Sequence, residues 1–532
     1  MLDKTIFLIV IKNPFHSLPF IFVKRNGKSS LVNEIGAVLQ FKKIISFGFE
    51  DLVDIIRARN LSVNSLIVDI VTMKRLSIGK PKDEYKDELP WDLMPLIGKY
   101  IDKRTITWIK KIINFEMINP REDEKYQENI TNLMKGFISC FNDIEKQLEV
   151  NEEYYRFYNV EVKLYNIFLK THKNGIKVDQ ALLDRRIKEL KDSYYFSIKK
   201  LELDYGFSSE YIQYKMQWND ISEYCQLQDF KSEFDFNFWE TVELLYEEYE
   251  FLKYLLIAHD SFRDYNELLK YRIDKYKCIY PVFDIVGTIT SRMLIKSPGI
   301  QYIKKNNRDI FIPREGMCFL YADFSQFEPG ILASFSSDKE FLKMYNKDDI
   351  YEELSKLLFS DITHRRISKT LFLSFIYGMK EENIYKLIAR ITDDKTAKKG
   401  IKFFEHFKQI QEWKENKIKE AESIGYSKSC FGNYRYLQKT GESSNKEKRW
   451  IPNQIIQGTA SYIFKISLLE LYKNISDIGV NFLIPMHDAI LLEIPDDEID
   501  NVKKTVTDIF SNCFLNVCPN IIPRISFDDF AQ

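Results

Sequence analysis

Near the start of the chain, apolar residues come in short runs: TIFLIVI, LPFIFVK and NSLIVDI. The segments FEDLVDIIRARN and ENITNLMKGFISCFNDIEKQLEV instead repeat their apolar positions every three or four residues. The runs predict strands and the periodic segments predict helices, so residues 1 to about 150 read as a small α/β domain. From about 155 to 270 the pattern is almost wholly helical and highly charged. There RRIKELKDSYYFSIKKLELDYG and ETVELLYEEYEFLKYLLIAHDSF predict long, mostly exposed helices. Strand signals return at 279–284 (IYPVFD) and 317–323 (MCFLYAD), and helical patterns then dominate to about 475. A last hairpin is predicted in VNFLIPMHDAILLEI, with strand runs flanking His487 and Asp488. The predicted order is α/β, then helical, then a sheet whose two key strands are separated by about 160 residues of mostly helix.

A chain of 532 residues is too long for one core and divides into roughly three or four domains. With 45% hydrophobic residues, 19 Gly and 15 Pro, it is globular and neither fibrous nor disordered. The net charge of -1 conceals an imbalance, because His364 to Glu420 holds 14 Lys/Arg against 8 Asp/Glu. A polyanion could bind there without the whole protein being basic. Cys140, Cys225, Cys278, Cys318, Cys430, Cys513 and Cys518 form no Cys-x-x-Cys and no cluster with histidine. Reduced thiols in a cytoplasmic, cytosol-like compartment are therefore expected. The run IFLIVI is too short for a signal peptide or a membrane span, so no membrane association is expected.

Candidate chemistry begins at YADFSQFEPGILASF, where Asp323 ends an apolar run and Glu328 follows five residues later. An aspartate at a strand mouth most often makes a turn or a cap. A second strand ending the same way, at His487-Asp488, weakens that explanation. Two aspartates on neighbouring strand ends can share divalent cations, since magnesium takes oxygen ligands from a few carboxylates plus substrate phosphates. Between them lies HRRISKTLFLSFIYGM, in which Arg365, Lys369, Leu373 and Tyr377 recur every four residues and share one helix face. A cationic stripe ending in an aromatic suits a triphosphate and a stacked base, although a solvated basic face would look the same.

These segments resemble family A DNA polymerases, the group of bacterial DNA polymerase I. Asp323-Phe-Ser-Gln-Phe-Glu328 resembles the first palm motif, RRISKTLFLSFIYG the fingers helix and MHDA the last palm motif. TITSRMLIKSPGIQYI, GYSKSCFGNYRYL and RWIPNQIIQGTASYIFK resemble three further motifs, in the family's order, and the likeness runs from about Glu161 to the end of the chain. The resemblance implies an α+β, multidomain, right-hand polymerase fold behind an α/β exonuclease-like, ribonuclease H-like domain. The expected divisions are 1–152 for that domain, 153–275 for the thumb and start of the palm, 276–345 and 451–532 for the palm, and 346–450 for the fingers. It implies synthesis on primer-template DNA from deoxynucleoside triphosphates, by a monomer.

By the same resemblance, Asp323, Asp488 and the carbonyl of Phe324 hold two Mg2+ ions, with Mn2+ able to replace them. Arg365 and Lys369 bind the triphosphate, and Lys369 also protonates the leaving pyrophosphate. Gln326, Glu328, Leu373 and Tyr377 complete the nucleotide site, with Glu328 excluding a ribose 2′-hydroxyl. Arg292, Asn453, Gln457 and His487 touch the minor groove and primer terminus, where acceptors occur at similar positions in every base pair.

The chain departs from the family pattern at several places. Ala489 stands where a glutamate is usual, so slower or differently metal-dependent synthesis is expected. The alternative is a catalytically impaired primer-template binding protein. Leu373 replaces a Phe or Tyr, Tyr351 a His and Ser291 a Gly, and Pro329-Gly330 replaces Leu-Arg. Proofreading needs an Asp-x-Glu on the first strand, yet the only such triplet before residue 150 is Asp143-Ile-Glu145, inside a helical pattern. The first domain is therefore expected to lack 3′-5′ exonuclease activity, and no stretch remains for a 5′-nuclease domain.

Overall fold

The computed structural model describes residues 5–206 and 249–531 apart from 14–18, 37, 64, 82–83, 86–88, 272 and 275, together with 239, 242–243 and 246. Its first sheet contains β1 (Thr5–Ile11), β2 (Phe20–Arg25), β3 (Lys28–Val32), β4 (Lys43–Phe47) and β5 (Leu66–Asp69), in the order β3-β2-β1-β4-β5. β1 is parallel to β4, and β4 to β5, whereas β1, β2 and β3 form an antiparallel meander. Because side chains alternate along a strand, Ile6, Leu8 and Val10 face one way and Ile9 and Ile11 the other. The first set joins α1 (Phe49–Ala58) in the large core of the molecule. The second packs with residues of α2 (Ile70–Ile78) and α3 (Tyr126–Val150) in a separate core. Asp69 ends β5 and starts α2, its carboxylate accepting the amides of Val71 and Thr72.

The large core continues through α4 (Val162–Asn174), where the ring of Tyr165 meets Phe49 at 4.0 Å. Beyond it, α5 (Gln180–Tyr205) and α6 (Glu250–Leu268) pack together over a small core of their own that includes Leu201 and Leu255. The second predicted charged helix thus begins, within the described residues, at Glu250; its earlier part and Cys225 fall mainly or wholly outside them. The other six cysteines are free thiols. The predicted strand at 279–284 divides in two: Cys278–Ile279 pairs with Ile176–Lys177, and Val282–Asp284 with Leu294–Ser297. Pro281 lies at the break, where a residue without an amide donor cannot continue a ladder.

The second sheet has β6 (Met317–Phe324) at its centre, flanked by the hairpin of β9 (Asn481–Met486) and β10 (Ala489–Pro495) on one side and β11 (Ile525–Ser526) on the other. All of its pairings are antiparallel. Phe324 stacks on Phe327 at 4.1 Å and on Phe510 at 4.7 Å, anchoring the end of β6 on α7 (Phe327–Ser336) and α12 (Ile499–Val517). Between β6 and β9 come α8 (Ile350–Phe359), α9 (Arg365–Ile376), α10 (Lys408–Ile424), a hairpin of β7 (Tyr426–Ser429) and β8 (Gly432–Tyr436), and the 31-residue α11 (Asn445–Ile475). A capping box between Ser444 and Glu447 starts α11. Among the described residues no helix is long and apolar enough to cross a membrane.

Candidate active site

Asp323 is the penultimate residue of β6, and its register partner on β10 is Ala489. His487 and Asp488 form the two-residue turn before Ala489, with His487 at φ 54°. Tight hairpin turns take positive φ at their first central residue, and histidine tolerates that region better than a β-branched residue would. This register sets Asp488 beside Asp323, and the Phe324 amide donates to the Asp488 carbonyl at 3.3 Å. The two predicted carboxylates are thus brought together at adjoining strand ends.

Burial, followed by the negative charge of Asp488, pushes the Asp323 carboxyl up to about 7, with Lys369 opposing. Asp488 is also raised by burial, against the pull of Arg292 and Lys369. Its Oδ1 is buried without a hydrogen-bond partner. A buried carboxylate oxygen with no donor is costly, and a hard divalent cation is the species that would satisfy it. Among the described residues no three His, Cys, Asp or Glu side chains converge to hold an ion. The centre therefore offers two carboxylates, which suits an ion that keeps water or phosphate oxygens as its other ligands.

α9 buries Ser368, Leu371, Phe372, Phe375 and Ile376, spaced by three and four, and so turns Arg365 and Lys369 away from the core. Leu373 is half-buried against that core. The Arg365 guanidinium holds the Asp349 carboxylate at 2.6 Å through Nη2 and 3.2 Å through Nε. It lies 5.3 Å from the Tyr351 ring, and the Lys369 ammonium lies 6.0 Å from the same ring. Asp349 also caps α8 by accepting the amides of Tyr351 and Glu352. Sequence reasoning missed Asp349 and the platform role of Tyr351; the signal was an aspartate placed to cap a helix that then turns its aromatic toward the basic stripe.

Glu328, in the first turn of α7, is 6% exposed and accepts from both the Arg292 guanidinium and the Tyr377 hydroxyl. Burial raises its pKa, with Arg292 the main opposing charge. Arg292 also comes within 3.9 Å of Asp488 and so bridges the Glu328 carboxylate to the acidic pair. Gln326 takes a left-handed backbone at φ 53°, and its side chain accepts the Ile350 amide at 3.1 Å, fixing the start of α8. The Asn453 amide donates to the Tyr377 carbonyl at 3.5 Å, and Gln457 hydrogen-bonds the Tyr377 side chain. His487 is exposed at the turn. Arg292, Asn453, Gln457 and His487 thus gather around Tyr377, Glu328 and Asp488.

The pattern of DNA polymerase family A matches residues 243–520. DNA polymerase I of Borreliella burgdorferi is 26% identical over 441 residues, covering 77% of this chain and 48% of that protein. A thermostable DNA polymerase I of Thermus filiformis is 27% identical over 250 residues, 44% of this chain and 30% of that protein. The chain thus spans less than half the length of these curated relatives. The polymerase domain of Pol1 from M. smegmatis, solved in complex with DNA primer-template and dNTP, superposes with a TM-score of 0.75 at 16% identity, over 99% of this chain and 95% of that one. That likeness fixes the fold, and the segment matched by the family pattern contains both carboxylate strands, the basic helix and Glu328. With just over half of its residues matched to one family pattern, this chain belongs to DNA polymerase family A.

Proposed function

We propose that the chain is a template-directed DNA polymerase that extends a primer in the 5′-3′ direction with deoxynucleotides. The observation that carries this reading is the meeting of Asp323 and Asp488, with Lys369 near enough to oppose the raised pKa of both. The primer-template and dNTP bound by the M. smegmatis domain support the same substrates here. Asp323, Asp488 and the Phe324 carbonyl would hold two magnesium ions, or manganese in their place, which when bound neutralise charge on the phosphate under attack. The primer 3′-oxygen attacks the α-phosphorus, a new P–O bond forms as the bond to the bridging β-phosphate oxygen breaks, and pyrophosphate leaves.

Arg365 meets the charge of the triphosphate once it exchanges Asp349 for phosphate, and Lys369 gives a proton to the departing pyrophosphate. Leu373 and Gln326 border the nucleotide, Tyr377 stands by the templating base, and Glu328 occupies the space of a ribose 2′-hydroxyl. Arg292, Asn453, Gln457 and His487 read the minor groove of the primer end. The palm comprises 276–345 and 451–532, the fingers 346–450 and the thumb lies within 153–275; the protein acts as a monomer.

Residues 1–152 are an exonuclease-like remnant without proofreading activity. The strand order with β1 at the centre supports a ribonuclease H-like ancestry, and β1 (TIFLIVI) carries no acid. Asp143 and Glu145 sit on α3, where they accept the hydroxyls of Tyr100 and Tyr158 at 2.7 and 2.6 Å.

Ala489 favours a second reading, a catalytically impaired primer-template binding protein, because β10 presents only a methyl group opposite Asp323. Primer extension with four deoxynucleotides and magnesium or manganese separates the two. Extension supports the polymerase; salt-sensitive duplex binding without extension leaves the binding protein. Removal of a mismatched 3′ end would overturn the absence of proofreading.

A further inference from the structure

Away from the carboxylates, one buried cation takes no part in the chemistry above. Lys414 of α10 is 7% exposed. Its ammonium donates to the Phe375 carbonyl at 2.9 Å and lies 4.6 Å from the centre of the Phe375 ring. Phe375 is in the last turn of α9, two residues before Tyr377. The last carbonyls of a helix lack intrahelical donors and carry the negative end of its dipole, so a cation there binds them well. The Phe375 carbonyl also accepts the Gly378 amide at 3.1 Å, and Gly378 turns the chain away from the helix at φ 78°.

We propose that Lys414 is a positioning residue for nucleotide addition: by clamping the C-terminal turn of α9 it sets where Tyr377 and Lys369 stand against Glu328 and Asp323. This rests on the polymerase reading. The clamp has two jaws on different parts of the fold, Lys414 of α10 on the Phe375 carbonyl and Asn453 of α11 on the Tyr377 carbonyl.

The energetics argue against a space-filling role. Among the described residues no carboxylate pairs with Lys414. Glu328 on α7, Lys369 on α9, Glu447 and Arg449 on α11, and Glu412, Glu415 and Lys417 on its own helix contribute nothing to its protonation; burial alone pushes the amine down to about 7. A methionine would fill the same volume without burying a charge. Since the folded pKa lies below the unfolded one, Lys414 costs stability in full below pH 7, and the cost fades as pH rises above it. A residue that weakens the fold while ordering the nucleotide helix leaves opposite signs in stability and in catalysis.

The test compares Lys414→Met and Lys414→Gln with wild type, measuring dNTP KM and kcat in primer extension from pH 6 to 9, Tm at pH 6, and amide hydrogen exchange at residues 373–379. The expected result is a KM raised about tenfold by Met with kcat changed less than about twofold. Tm should be no lower than wild type, exchange at Tyr377, Gly378 and Met379 faster, and the Gln variant intermediate. Asp323 titrates in the same range in every variant, so only a difference between the pH profiles of wild type and the Met variant bears on Lys414. Unchanged KM and exchange, or a KM that rises only in step with a falling Tm, would overturn the clamp. If wild type extends no primer, the polymerase reading fails, and the exchange data alone decide whether Lys414 orders the helix.

Discussion

Tyr377 and Glu328, 49 residues apart in the chain, are joined by a hydrogen bond from the phenol to the carboxylate across the mouth of the site. The same carboxylate holds Arg292, so one buried acid ties the end of α9 to the start of α7 and to the turn that carries Arg292. Replacing it by alanine releases both partners and, on the proposed role, opens space beside the nucleotide sugar. Glu328→Ala is expected to lower the preference for deoxy- over ribonucleotides by at least about tenfold, read as the ratio of kcat/KM values. An unchanged ratio would remove the sugar gate from the account.

Asp323 ionises against burial and against Asp488, so its folded pKa of about 7 lies above that of an unfolded aspartate. The stability this group contributes is present below the unfolded pKa and is lost as pH rises through 7. In the absence of divalent ions, Asp323→Asn is therefore expected to stabilise the protein at pH 8 by about 1–2 kcal/mol while showing little change at pH 4. The same variant is expected to abolish primer extension and to leave duplex affinity within about twofold. Thermal melts at the two pH values, with gel-shift titrations, check both halves.

Arg365 is held by Asp349 and lies over Tyr351, so it is already ordered before any anion arrives. If Arg365 contacts the triphosphate as proposed, Arg365→Ala is expected to raise the dNTP KM about tenfold or more, with DNA affinity unchanged. Arg365→Lys should recover only part of this, since an ammonium cannot make the paired contacts of a guanidinium. Equal losses of dNTP and DNA affinity would assign Arg365 to the duplex instead.

Lys465 and Glu161, both 1% exposed, form an ion pair of 2.6 Å, and Arg156 reaches Glu161 at 3.4 Å and Glu153 at 2.7 Å. Burial pushes the Lys465 amine down to about 8 despite the neighbouring carboxylate. Breaking such a pair leaves an uncompensated buried charge, so Glu161→Gln is expected to cost about 3–5 kcal/mol in urea unfolding. The double change Glu161→Leu with Lys465→Met should recover much of that loss.

What the chain disclosed in advance follows from how local each signal is. Asp323 and Asp488 were legible because each closes an apolar run at a place where a strand must end. Arg365, Lys369 and Tyr377 were legible because their four-residue spacing is a property of one helix. Lys414 was not, since in KQIQEWKENKIKE it looks like every other lysine on a solvated face; only the tertiary packing of α10, chiefly on α7 and α11, buries it and brings it to the Phe375 carbonyl. Asp349 escaped for a related reason, because its partner Arg365 lies 16 residues on, beyond the reach of any periodicity. The split of IYPVFD between two ladders was hidden because a strand of two or three residues takes its identity from a partner far away in the chain.

The face of the first sheet formed by Ile6, Leu8 and Val10 lies in one continuous apolar interior with α1, α4 and the strands that bear the acidic pair. The first sheet thus also serves as a wall for the strands that carry Asp323 and Asp488. Substitutions in β1 are therefore expected to disturb the acidic pair through packing alone, read as weakened primer extension.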